Sequence, residues 1–157
     1  AFFILTSEKP DALLQTVRSR CTRFALEPSG EEQAVSDDEA VRLLAPYLTA
    51  VAGKREGSMM LAALGMEKTP RRALIGVMGV MQAALRDAIF RAEGLREPPL
   101  QPTLAKQSEA LASALTPERL LAFYDFTDEL VHRISRNAAS AAVTCALTSD
   151  VYRICYQ

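Results

Sequence analysis

In the run TVRSRC, Thr16 to Cys21, two arginines stand two residues apart, and Arg23 follows. A guanidinium is planar, permanently charged and able to grip an anion through two parallel donors, so such a run can deliver positive charge to a phosphate or a carboxylate. The same arginines can also complement the negative end of a helix and remain in solvent. Residue types alone leave both readings open.

The other residues capable of chemistry offer less. His132, the single histidine, lies among Leu130, Val131 and Ile134 with no cysteine or acidic cluster at ligand spacing, which makes it structural. Cys21, Cys145 and Cys155 show no paired spacing and form no zinc site with one histidine. An odd, sparse set of thiols suits a reducing cytosol better than a disulfide framework. Asp37-Asp38-Glu39 could be a carboxylate cluster, but acids at a helix start complement its dipole, and that reading prevails. Met59, Met60, Met78 and Met81 read as core filler. There is neither a GxxxxGK[ST] phosphate loop nor a GxSxG elbow, so the chain holds no self-contained active site.

Composition narrows the class. The 157 residues are 49% hydrophobic and 24% charged, a globular balance with room for one ordinary core, or a small core plus an appendage. A net charge of −1 supplies no general basic field for nucleic acid, so any such contact would be local or made through partners.

The elements that must position these residues begin with AFFILTS, a short apolar, aromatic and branched run that reads as a buried β-strand. It is too short for a membrane span and lacks the basic start and cleavage site of a signal peptide. One strand cannot satisfy its own hydrogen bonds, so the expectation is a sheet completed elsewhere in a longer protein. Pro10 suits a first helical turn, and DALLQTVRSR is apolar at Leu13, Leu14 and Val17. TRFAL, Thr22 to Leu26, is a second strand candidate, and the polar residues 27–39 form a linker.

Helix is predicted from there on. Ser36 and Glu39 form a capping box for a helix through about Ala52, and a shorter helix runs from Glu56 to Leu64 before Gly65. Thr69-Pro70 opens the longest helix, with Leu74, Val77, Met78, Met81, Leu85 and Ile89 on one face and a stop at Gly94. REPPLQP, Arg96 to Pro102, is a rigid turn. Leu104, Leu111 and Leu115 mark a further helix, Thr116-Pro117-Glu118 starts another through about Arg136, and the last follows Asn137.

The first 26 residues carry a more specific signal. FFILTSEKPDALLQTVRSRC resembles the sensor-1 strand, connecting helix and SRC motif of the AAA+ clamp-loader subunits of bacterial DNA polymerase III. The matching residues are Phe2 to Leu5, Thr6-Ser7 at the strand tip, Pro10, Leu13-Leu14, Thr16 and Ser19-Arg20-Cys21. Adjacent leucines and Arg18 bring it nearer the delta-prime branch than the gamma/tau branch, where a proline commonly replaces Leu14. More softly, LRDAIF (Leu85 to Phe90) and RNAASAAVTCAL (Arg136 to Leu147) are similar to collar helices of delta-prime, where an arginine-aspartate pair ends one long helix and an asparagine opens the last.

The resemblance implies a mainly α chain: a helical collar-type domain preceded by a short α/β remnant of an AAA+ domain. Residues 1–26 would end the AAA+ domain, 27–66 would be a linker and first helices with an abbreviated or incomplete lid, and 67–157 the collar that drives oligomerisation. Only GKREGSMMLAAL, Gly53 to Leu64, echoes the Gly-rich turn of the family's lid, and the Walker A and B segments would lie upstream. Arg20 would be an arginine finger reaching the ATP of a neighbouring subunit, where a guanidinium stabilises charge on the γ-phosphate. Thr6 or Ser7 would be the sensor-1 counterpart, with little weight because the delta-prime nucleotide site is commonly inactive. Arg18 and Arg23 would be surface or interface neighbours. This chain would bind no cofactor itself. Its partners would be gamma/tau and delta subunits and, through the complex, the sliding clamp and primed DNA of the polymerase holoenzyme, in the cytoplasm and away from membranes. A gamma/tau-type ATPase and a helical adaptor unrelated to ATP hydrolysis are the alternatives.

Overall fold

A computed structural model describes residues 13–22, 24 and 37–157. The chain divides into two units, Ala1–Glu31 and Glu32–Gln157. In the first, α1 spans Gln15–Arg18, a single turn in which the amides of Val17 and Arg18 both donate to the Leu14 carbonyl at 3.0 and 3.1 Å. None of its residues is buried, and Leu13 and Leu14 are 39% and 73% exposed. Thr22 and Phe24 belong to no strand, and Phe24 is exposed. The strand expected at Phe2 to Leu5, Pro10 and the rest of TRFAL lie outside the described residues.

Helix is the sole regular secondary structure among the described residues of the second unit. The unit consists of α2 (Asp37–Ala52), α3 (Glu56–Leu64), α4 (Arg71–Ala92), a 3-10 turn (Pro102–Leu104), α5 (Ala105–Ala114), α6 (Pro117–Ser135) and α7 (Ser140–Tyr156). These bounds follow local chemistry. Three acids occupy the first turn of α2, where they complement the dipole. Thr116 caps α6 by accepting from the Arg119 amide at 3.4 Å, with Pro117 as the first helical residue.

Three helices end in the same way. After α4, Gly94 takes φ +73°, and the amides of Gly94 and Leu95 return to the carbonyls of Arg91 and Phe90. Lys54 after α2 and Asn137 after α6 adopt left-handed φ of 52° and 66° with the same paired bonds. Asn137 thus closes α6, and α7 opens only at Ser140.

The longest helix, α4, is the axis of the unit and packs on α6, α5 and α2. In addition α2 contacts α3 and α5, and α7 closes on α3 and α6. Leu74, Val77, Met78, Met81 and Leu85 are all buried, as predicted from their spacing. By length and composition alone α4 could cross a membrane, but its apolar positions are the centre of this core. Met59, Met78 and Met81 are core residues, whereas Met60 is 50% exposed and corrects the reading of all four methionines as filler.

Candidate functional site

The Ser19-Arg20-Cys21 motif follows α1 directly. The Ser19 amide donates to the Gln15 carbonyl at 2.9 Å and its hydroxyl to the Thr16 carbonyl at 3.3 Å. The Arg20 amide donates to the Val17 carbonyl at 3.1 Å, so the backbone of the motif is fixed to the preceding turn. Both Arg20 and Cys21 are exposed. Such a guanidinium can reach an anion presented from outside the chain. Arg18, in the last turn of α1, is also exposed. Thr6, Ser7 and Arg23 lie outside the described residues.

Within the helical unit, His132 is exposed, with Nε2 3.6 Å from Asp128 Oδ2 one turn earlier. It is a surface residue rather than a core one. Among the described residues no group of histidine, cysteine and acidic side chains could hold a metal ion. Nor does any buried side-chain nitrogen or oxygen there lack a hydrogen-bond partner.

Two polar arrangements were not assigned roles by the sequence. Asp87 is buried on the core side of α4, where one carboxylate accepts from the amides of Leu100 at 3.0 Å and Gln101 at 2.9 Å. Arg86 completes the group, 3.2 Å from the same carboxylate and 4.2 Å above the Phe90 ring. Asp87 therefore ties the proline-rich turn to the end of α4. The signal was present as an acid in an apolar stripe, but the atoms it would serve lie 13 and 14 residues away.

The second arrangement gathers Tyr47, Arg119, Cys155 and Tyr156. Tyr47 is wholly buried and donates to the Leu147 carbonyl at 2.6 Å. Arg119 donates to the Cys155 carbonyl, and the Tyr156 hydroxyl donates to the Val51 carbonyl. Burial pushes the Cys155 thiol up to about 12, against the opposing pull of Arg119. Burial, then the neighbouring Cys155, also raises Tyr47 well above its ordinary value. A thiol so protected is a poor nucleophile. These groups hold the fold together rather than form a reaction centre.

A cleft at the C-terminal end of α4 is lined by Phe90, Arg91, Leu95, Arg96, Glu97 and Glu109 among others. Its charges are of both signs, so it does not select for an anion or a cation. Among the described residues that the sequence singled out, Arg18 and Arg20 are exposed guanidiniums that another molecule can reach. No family model, curated protein or solved structure matches this chain.

Proposed function

We propose that the chain is the C-terminal portion of a delta-prime-like clamp-loader subunit. It helps to assemble the loader that opens the sliding clamp and sets it on primed DNA, and Arg20 is presented to the ATP site of a neighbouring subunit. The observation that carries this reading is the Ser19-Arg20-Cys21 motif in its place after FFILTSEKPDALLQTVR. The exposure of Arg20 and the helical make-up of residues 37–157 support it. In this reading the AAA+ remnant comprises residues 1–26 and the collar the helices that follow. The packing of α2 and α3 in one unit with α4 to α7 supports reading residues 37–64 together with the collar.

The test uses the full-length protein mixed with gamma/tau and delta subunits. Assembly is followed by size-exclusion chromatography and ATP hydrolysis by turnover. Arg20→Ala leaves assembly intact but slows hydrolysis at one interface, on the order of 10³-fold at that site, so total turnover falls in part. Arg20→Lys does not restore it, since a point charge cannot reproduce the planar fork. Arg18→Ala has less effect and controls for loss of charge. If both alanine variants hydrolyse ATP and load clamps like the parent, Arg20 is a helix-end cation and the finger assignment fails. A folded protein that never enters the complex points instead to a helical adaptor with no link to ATP.

A further inference from the structure

Residues 95–101, LREPPLQ, join α4 to the 3-10 turn and belong to neither helix nor strand. The ring of each proline fixes its own φ, and each also keeps the residue before it, Glu97 and Pro98, out of the helical region. The stretch is thereby confined to extended, polyproline II geometry, which has no internal hydrogen bonds and leaves its backbone to solvent. Among the described residues, nothing donates to the carbonyls of residues 96–99.

The side chains are equally unused. Leu100 is 60% exposed, and residues 96–99 are exposed with it. Arg96 and Pro99 border the open cleft of about 660 Å³ at the end of α4. Among the described residues Arg96 has no ion-pair partner. In polyproline II geometry it stands one turn before Pro99, on the same edge of the strand. The far end is fixed instead, because the buried Asp87 carboxylate accepts from the amides of Leu100 and Gln101. Pro102 then opens the 3-10 turn. These bonds occupy amides, and the prolines have none to offer, so the carbonyls are what remains for a partner.

The geometry points to residues 96–100 as a docking strand for a partner domain whose aromatic-lined groove reads polyproline II segments, with an acidic side chain beside the groove to meet Arg96. Pro98, Pro99 and Leu100 supply the apolar surface, and the groove's donors meet the free carbonyls. Asp87 holds the strand in shape before the partner arrives, which removes part of the ordering entropy that a free peptide loses on binding. The extended part is short, since the chain bends at Leu100, and the contact is of the small, transient class. The inference is independent of the clamp-loader reading.

Titration of a panel of isotope-labelled SH3 and WW domains, followed by NMR, tests it with two ligands: the free peptide LREPPLQP and the whole chain. A domain that takes the peptide takes the whole chain about fivefold more tightly, because the fold has already ordered the strand. Pro99→Ala in the chain weakens binding by about tenfold and Arg96→Ala by about threefold. Asp87→Asn, which loosens the strand without touching the groove, brings the affinity down toward that of the peptide while the helical circular dichroism is unchanged. A domain that binds the peptide but not the chain overturns the proposal, since the fold would then present the wrong shape. So does a panel in which nothing binds either ligand, or a Pro99→Ala chain that binds like the parent.

Discussion

The hydroxyl of Tyr47 on α2 donates to the carbonyl of Leu147 on α7 at 2.6 Å, joining residues 100 positions apart in a fully buried setting. The ring fills core volume and the hydroxyl meets an acceptor that the helix already uses, so no buried donor is left over. Tyr47→Phe keeps the shape and loses the bond. It lowers stability by about 1 kcal/mol, read from the urea midpoint at unchanged slope. Tyr47→Ala also opens a cavity and costs about 3–5 kcal/mol. Equal losses for the two variants would show that the ring contributes nothing beyond its hydroxyl.

Stability falls on the alkaline side. Cys155 is raised to about 12 and Tyr47 is raised as well, so above pH 9 the folded state retains protons that the unfolded chain releases. With folded-state pKa values above the unfolded ones, the contribution is complete below about pH 8.5 and is lost as pH rises toward 12. For Cys155 the full loss amounts to a few kcal/mol, of which a measurable part appears by pH 10. Urea midpoints at pH 7.5 and pH 10 measure it, and Cys155→Ala reduces the difference. An undiminished difference in that variant would remove Cys155 as the cause.

Asp87 holds the turn after α4 through two amides. Asp87→Ala leaves the amides of Leu100 and Gln101 without their acceptor and costs about 2–3 kcal/mol. Asp87→Asn keeps one acceptor oxygen and loses less. Hydrogen exchange at residues 100 and 101 should rise in both variants, most in the alanine one. Unchanged protection there would mean that the turn is held by its prolines alone.

Two glycines in α4 are replaceable. A Cβ added at Gly76 or Gly79 meets nothing within 4 Å, and both residues are exposed in a regular helix. Each change to alanine raises stability by about 0.5–1 kcal/mol by restricting the unfolded chain. Gly94→Ala has the opposite sign, since φ there is +73° and a side chain is strained at that angle. Thermal melting of the three variants checks the signs, and destabilisation by Gly76→Ala or Gly79→Ala would contradict the open space beside them.

By itself, the sequence determined where the described helices of the second unit begin and end to within a few residues. Their boundaries are set by near neighbours: the acids of Asp37-Asp38-Glu39, Gly65, Thr69-Pro70, Gly94 and Thr116-Pro117 act within one turn of chain. The same locality made the buried stripe of α4 legible, because its period follows from helix geometry. Asn137 separates the last two helices as its place in the sequence predicts: its left-handed φ and paired bonds end α6, and α7 follows at Ser140. Tertiary structure alone decided that Met59 is buried while Met60 faces water, because neighbours on one helix are separated only by what packs against them. It also decided that Leu13 and Leu14 stay exposed, and that Tyr47 meets Leu147 and Asp87 meets the turn at Leu100. For the candidate site, residue types pointed to the Ser19-Arg20-Cys21 arginine, and the fold added its exposure. The distant pairings could not be read along the chain because they join atoms through space, where packing of whole helices, not the order of residues, brings donor to acceptor.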